Sequence, residues 1–289
     1  MIRRLAVIGV GLIGGSFALD LKRLGLVGQV VGSGRSRSNL ELARERGILD
    51  EIALDPVEAV AGADLVFVSV PVGSMAQVFQ AIAPALGPDC LLTDAGSTKG
   101  DVIAAARQGL GAQVARFVPG HPIAGSETSG AAAARPGLYD GKPLILTPLP
   151  ENRAEDVERV AALWTACGAR VATMDPDRHD HVFAAVSHLP HLAAFALMED
   201  LAGRPEPDTY LRYAGAGFRD FTRIAASHPE MWRDITLANR QALLDELDAY
   251  IAKLGEIRSL VAQGDGAALE QIFSRAQAAR QNWNQNRHD

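Results

Sequence analysis

The chain has 289 residues, 48% of them apolar and 21% charged, with a formal net charge of −6. This balance is that of a soluble globular protein long enough for two cores, and its acidic excess argues against a nucleic-acid binder, which carries clustered basic charge. The two cysteines, Cys90 and Cys167, are far apart without C-x-x-C spacing, so they read as small core residues in a reducing compartment rather than as a disulfide or metal site.

The first apolar run, residues 5–8, passes straight into the glycine-rich turn Gly9-Val10-Gly11-Leu12-Ile13-Gly14. No signal peptide and no apolar stretch of membrane-spanning length is expected, and the protein is expected in the cytoplasm. Further strands are predicted at 29–32, 65–70, 91–94, 116–119 and 143–147, with helical patterns near 15–24, 38–46, 73–83, 99–108 and 154–167. Such alternation is the pattern of a parallel sheet with crossover helices. A last strand, 170–174, ends at Asp175-Pro176-Asp177, where a domain boundary is expected. Beyond it the alternation stops and helical patterns cover 179–201, 209–227 in pieces, 229–263 and 266–282. The segment 231–260 carries Ile235, Leu237, Leu243, Leu244, Leu247, Ile251 and Leu254 and is expected to pack against a second copy. The fold class is therefore α/β: a Rossmann-type dinucleotide-binding domain over 1–175, followed by an all-helical substrate and dimerisation domain over 176–289.

A G-x-G-x-x-G pattern is weak alone and strong between a strand and a helix. Gly9 permits the tight turn, Gly11 lets the backbone approach a pyrophosphate, and Gly14 lets the helix sit close to the strand. Leu12 and Ile13 complete the turn, where free N–H groups at the helix start favour an anion. An NAD enzyme places Asp or Glu at the end of the second strand to hold the ribose diol. Here that strand runs into Ser33-Gly34-Arg35-Ser36-Arg37, with no acid. Two guanidinium forks and hydroxyls suit a 2′-phosphate, so NADP is expected rather than NAD. Val70 and Pro71, at the end of the third long strand, are expected to border the same cofactor.

Three further segments carry polar side chains to strand ends or to the domain boundary: Asp94-Ala95-Gly96-Ser97-Thr98-Lys99, Gly120-His121-Pro122-Ile123-Ala124-Gly125-Ser126-Glu127 and Ser187-His188-Leu189-Pro190-His191. Ligands of open α/β sheets bind at the carboxyl ends of the strands, and histidine is the side chain suited to proton transfer near neutral pH.

With Gly217-Phe218-Arg219-Asp220-Phe221-Thr222-Arg223-Ile224-Ala225, these motifs resemble, in order and over nearly the whole chain, the prephenate/arogenate dehydrogenase family of tyrosine biosynthesis. Gly34 departs from members that carry Asp there and use NAD. The resemblance implies oxidative decarboxylation of arogenate and/or prephenate, with hydride passing to NADP and no metal required. It implies that His121 assists loss of the substrate's C4 hydroxyl proton and that Ser97 fixes the orientation of His121. It implies that Ser126 and Glu127 line the same loop, and that His191 and Arg223 bind carboxylates. His188 is either a substrate contact or a structural residue, and Arg219 either a second carboxylate partner or a solvated charge. A β-hydroxyacid dehydrogenase and a non-catalytic NADP-binding redox sensor are the alternatives; the chemistry of the first does not need the His-containing motifs at 120–127 and 187–191, and the second has no use for His121, Ser97 and Arg223 together.

Overall fold

The structure, a computed structural model, describes residues 1–125 and 128–285. Among these residues, β1 (Ile2–Ile8), β2 (Val27–Ser33), β3 (Glu51–Ile52), β4 (Leu65–Val68), β5 (Leu91–Asp94) and β6 (Phe117–Val118) form a parallel sheet in the order β3-β2-β1-β4-β5-β6. Successive side chains point to opposite faces of a strand, and both faces here are apolar. Leu5, Val7, Leu65 and Phe67 enter one core with Phe17, Leu40, Tyr139 and Trp164. Ala6, Ile8, Val66 and Val68 enter the other with Phe79, Ile82, Val102 and Phe117. Sheets of this kind are covered by helices on both sides.

The covering helices are α1 (Leu12–Arg23), α2 (Arg37–Glu45), α3 (Pro56–Val60), α4 (Val72–Ile82), α5 (Gly100–Leu110) and α6 (Ala154–Ala166). Their starts obey local chemistry. Ser36 caps α2 by accepting from the Asn39 N–H, and Asp55 caps α3 ahead of Pro56 at its first position. The expected strands 143–147 and 170–174 do not extend the main sheet. They are β8 (Pro143–Leu146) and β9 (Arg170–Thr173) of a second sheet, with β7 (Gly120–Pro122) antiparallel to β8 and β9 parallel to it. Pro119 cannot donate to a ladder, and the chain leaves the main sheet there. His121 is thereby placed on a strand paired with Ile145, not on a loop.

The helical region comprises α7 (Pro176–Phe183), a π-helical turn (Ala184–His188), α8 (Leu189–Ala202), α9 (Pro207–Arg212), α10 (Ala216–Thr222), a 3₁₀ turn (Arg223–Ala226), α11 (Pro229–Ala238), α12 (Arg240–Gln263) and α13 (Gly266–Gln285). Two expectations need correction. The segment 231–260 is not one helix, because Asn239 (φ −102°, ψ 37°) interrupts it. A run long and apolar enough to cross a membrane by length and composition does exist, Pro176–Ala202. Its first half holds buried His179, Asp180 and His188 in polar contacts, the mark of a helix that lines a site. The chain divides into two compact units, Met1–Arg240 and Gln241–Asp289. Residue 175 thus marks a change in the kind of secondary structure, while helices up to α11 pack with the sheets: Trp232 and Ile235 join the core beneath α4 and α5.

Candidate active site

At the carboxyl end of β1, Gly9 has φ +95°, and a Cβ there would lie 2.3 Å from the Ser69 carbonyl oxygen. A Cβ on Gly14 would lie 2.5 Å from the Gly9 oxygen and 2.8 Å from Val7, so α1 packs directly on the strand. At Gly11 a Cβ would meet nothing within 4 Å, leaving the backbone open on that side. The start of α1 has no side-chain cap, so N–H groups are left to a ligand. Val70 stands beside Gly9, and Pro71 begins α4. β1 and β4 are neighbours from which the strand order runs in opposite directions, the switch point at which open α/β sheets bind ligands. This cradle fits the pyrophosphate of a dinucleotide.

At the end of β2, Ser33 is buried and Ser36 is occupied as the cap of α2. Arg35 is exposed, with Glu230 at 3.8 Å, and Arg37 pairs with Glu41 at 2.9 Å. Both guanidinium groups reach solvent and can turn to an anion.

The second polar centre lies beneath β7. Lys99 Nζ donates to Asp94 Oδ2 at 2.6 Å and to the Gly120 carbonyl at 2.9 Å, while the Gly120 N–H donates to Asp94 Oδ1 at 2.9 Å. Beside them, His121 Nδ1 is 2.8 Å from His179 Nε2, and His179 Nδ1 is 2.8 Å from Asp180 Oδ1. Asp180 also accepts the backbone N–H groups of Lys99 and Gly100, each at 2.8 Å, at the start of α5. Burial raises the Asp180 pKa, but His179 and these two N–H groups outweigh it and hold the carboxylate below its usual range. Phe183 packs against both imidazoles, with ring centroids 4.7 Å from His121 and 4.5 Å from His179. Burial, followed by the neighbouring His179, Lys99 and His188, pushes His121 well below the usual histidine pKa, so it is a neutral base at pH 7.

Asn239 completes the arrangement. Its amide nitrogen donates to the Asp180 carbonyl at 2.7 Å and stands 3.1 Å from His188 Nδ1. Because the carbonyl only accepts, the contact to His188 is donated by the amide, which leaves the His188 proton on Nε2. That atom is buried without a hydrogen-bond partner among the described residues, and burial lowers the ring's pKa to about 4. His191 donates from Nδ1 to the Ser187 carbonyl at 2.8 Å and stacks on Trp232 at 3.6 Å. Its Nε2 is therefore an acceptor when neutral and can meet a carboxylate only as imidazolium. Arg223 is near enough for its charge to lower the His191 pKa, though burial has the larger effect. Arg219, four residues earlier, lies on an apolar groove with Phe195, Met198 and Phe218.

The structure thus brings His121 and His188 into one polar centre and His191 beside Arg223. Ser97 is half-buried in the turn before α5 and makes no hydrogen bond to His121. The hydrogen-bond partner of this ring is His179. Ser126 and Glu127 lie outside the described residues. His179, Asp180, Trp232 and Asn239 escape the sequence analysis. The His179-Asp180 pair within a helical pattern is its only signal there, since the partners His121, Lys99, His191 and His188 that these residues meet lie 40 or more positions away.

The fold and the cradle define a dinucleotide-dependent dehydrogenase. Family profiles narrow the class: "prephenate dehydrogenase, nucleotide-binding domain" matches residues 17–173, and "prephenate dehydrogenase, dimerization domain" matches 175–275. The chain belongs to the prephenate dehydrogenase family. It is 38% identical to the cyclohexadienyl dehydrogenase of Zymomonas mobilis, covering 96% of this chain and 95% of that one. The prephenate dehydrogenase of Aquifex aeolicus, solved with hydroxyphenyl propionate and NAD+, superposes with a TM-score of 0.91 at 34% identity, covering 98% of each chain. The Synechocystis arogenate dehydrogenase gives a TM-score of 0.80 at 28% identity over 97% of this chain and 99% of that one.

Proposed function

We propose that this protein oxidatively decarboxylates arogenate and/or prephenate, giving tyrosine or 4-hydroxyphenylpyruvate, as a cytoplasmic homodimer. The observation that carries the reading is His121: a buried, neutral imidazole beside the carboxyl end of the parallel sheet, hydrogen-bonded, among the described residues, through Nδ1. Held at the Gly9–Gly14 turn, a bound dinucleotide would supply a nicotinamide to accept a hydride from the substrate's C4. His121 draws off the proton of the C4 hydroxyl as that hydride leaves, so the carbon–oxygen bond gains double-bond character. The ring carboxylate then departs as carbon dioxide, its bonding pair makes the ring aromatic, and the phenolate oxygen takes the proton back from His121. The residue works by general base and then general acid catalysis. Arg223 binds a carboxylate by its guanidinium fork, needing no prior protonation. His191 assists it once protonated, and His188 donates from Nε2 to an oxygen of the substrate. Ser97 closes the same end of the site, with Ser126 and Glu127 as further substrate contacts.

The cofactor reading is NADP. It is supported by the absence of an acid in residues 33–37 and by the accessible guanidinium groups of Arg35 and Arg37. NAD is the second reading, because the Aquifex aeolicus relative was solved with NAD+. The dimer is supported by the matched dimerization domain and by Ile251, Leu254, Val261 and Phe273, which expose apolar surface on α12 and α13.

Initial rates of the purified protein test these points together, pairing prephenate and arogenate each with NAD and NADP. Turnover in any pairing supports the reaction, and the fastest pairing names substrate and cofactor. Folded protein that binds NADPH but turns over in none would overturn it.

A further inference from the structure

We propose that His179 and Asp180 are positioning residues that hold His121 in the tautomer with Nδ1 protonated and Nε2 bare, the form a base must have. The inference rests on the reading of His121 as the base. The Asp180 carboxylate, fixed by the N–H groups of Lys99 and Gly100, has only lone pairs to offer. The 2.8 Å contact from Oδ1 to His179 Nδ1 therefore places a proton on that nitrogen. A neutral His179 then has a bare Nε2, which can only accept across the 2.8 Å contact to His121. His121 must donate from Nδ1, and its Nε2 is left with a lone pair.

When His121 takes the substrate's proton, the positive charge that develops is met by an acceptor, with the Asp180 carboxylate behind it. This is the logic by which a buried carboxylate sets the tautomer of a catalytic histidine, with a second imidazole interposed. Nothing else among the described residues could set it, since His121 makes no other side-chain hydrogen bond and Phe183 offers only an apolar wall. His179 has no solvent exposure, so water does not substitute as its partner.

The test has two independent arms. Nitrogen-15 spectra of the histidine-labelled wild-type protein near pH 7, assigned with His121→Asn and His179→Gln, report which nitrogen of each ring carries the proton. The expected result is a bare Nε2 on both His121 and His179. In the second arm, His179→Leu removes the acceptor, whereas His179→Gln retains a carbonyl oxygen for it. The Leu variant should lose about 10²–10⁴-fold in kcat, the range for loss of a correctly poised base. Its KM for substrate and cofactor should change little, and the Gln variant should recover most of the rate. A protonated Nε2 on His121, or a Leu variant with wild-type kcat, would overturn the relay while His121→Asn remained inactive. Normal turnover in His121→Asn would instead bring down the base itself, and the relay with it. Should the Leu variant not fold, the wild-type spectrum decides alone.

Discussion

Lys99 and Asp94 form an ion pair at 2.6 Å with no solvent exposure on either side chain, directly beneath the strand that carries His121. Each charge is fully committed: the ammonium also meets the Gly120 carbonyl, and the carboxylate accepts the N–H groups of Gly96 and Gly120. Removing one partner of such a pair strands the other in a medium that cannot solvate it. Lys99→Met should therefore destabilise the fold by about 3–5 kcal/mol. The double variant Lys99→Met/Asp94→Leu should be less destabilised than the two single losses combined. Denaturant unfolding of all three variants measures this, and additive losses would show that the pair is not coupled.

A base held below the usual histidine range stays unprotonated further into acid, so kcat/KM should be level near pH 7 and fall only in more acid solution than an ordinary histidine would dictate. Among the described residues, the titratable groups that act on His121 are His179 from α7, Lys99 below β7 and His188 from the π turn, with Asp180 and Asp94 paired to His179 and Lys99. His121→Asn should lower kcat by about 10²–10⁴-fold while cofactor affinity holds. Normal turnover in that variant would refute the assignment.

Stability should follow the same rings. His188, at about 4 in the folded protein, binds its proton more readily once unfolded. For a group whose folded pKa is depressed in this direction, stability is fully present above the unfolded value near 6.5 and is lost as pH falls towards 4. The thermal midpoint should decline across that window, and His188→Asn should flatten the decline.

Cofactor choice is open to a direct test. Gly34 has no special backbone conformation, and a Cβ there meets only Leu40 at 3.7 Å, so Gly34→Asp is accommodated without strain. That acid would repel a 2′-phosphate. Together with Arg35→Ala/Arg37→Ala, which removes charge-assisted hydrogen bonds of about 1.5–3 kcal/mol each, it should weaken NADP and spare or improve NAD. Equal effects on both cofactors, measured by fluorescence titration, would exclude a phosphate contact.

The glycines of the turn should separate stability from binding. Gly14→Ala forces a methyl against the Gly9 oxygen and Val7, and should cost about 1–3 kcal/mol of stability. Gly11→Ala meets no protein atom within 4 Å, so its thermal midpoint should match wild type while dinucleotide affinity falls. A loss of stability in Gly11→Ala would mean that the open side of this turn is not reserved for a ligand.

The sequence by itself determined the local features. The Gly9–Gly14 turn is legible because strand, glycines and helix are contiguous, and the alternation of apolar runs with amphipathic ones specifies a covered parallel sheet. His121, His188, His191 and Arg223 could be picked out because their motifs are contiguous too. What only the tertiary structure decided depends on residues remote in the chain. Pro119 takes the chain off the first sheet, so His121 sits on a strand of a second one, a choice made by its pairing with Ile145. The partner of the His121 ring is His179, 58 positions away, because α7 packs against α5 and brings Asp180 to the start of that helix. Asn239 breaks a helix that periodicity alone would continue, and its amide is spent on the Asp180 carbonyl and on His188. Periodicity reports which face of an element is buried. It carries no information on which distant polar group will need a partner there, and in this protein those needs built the centre around His121.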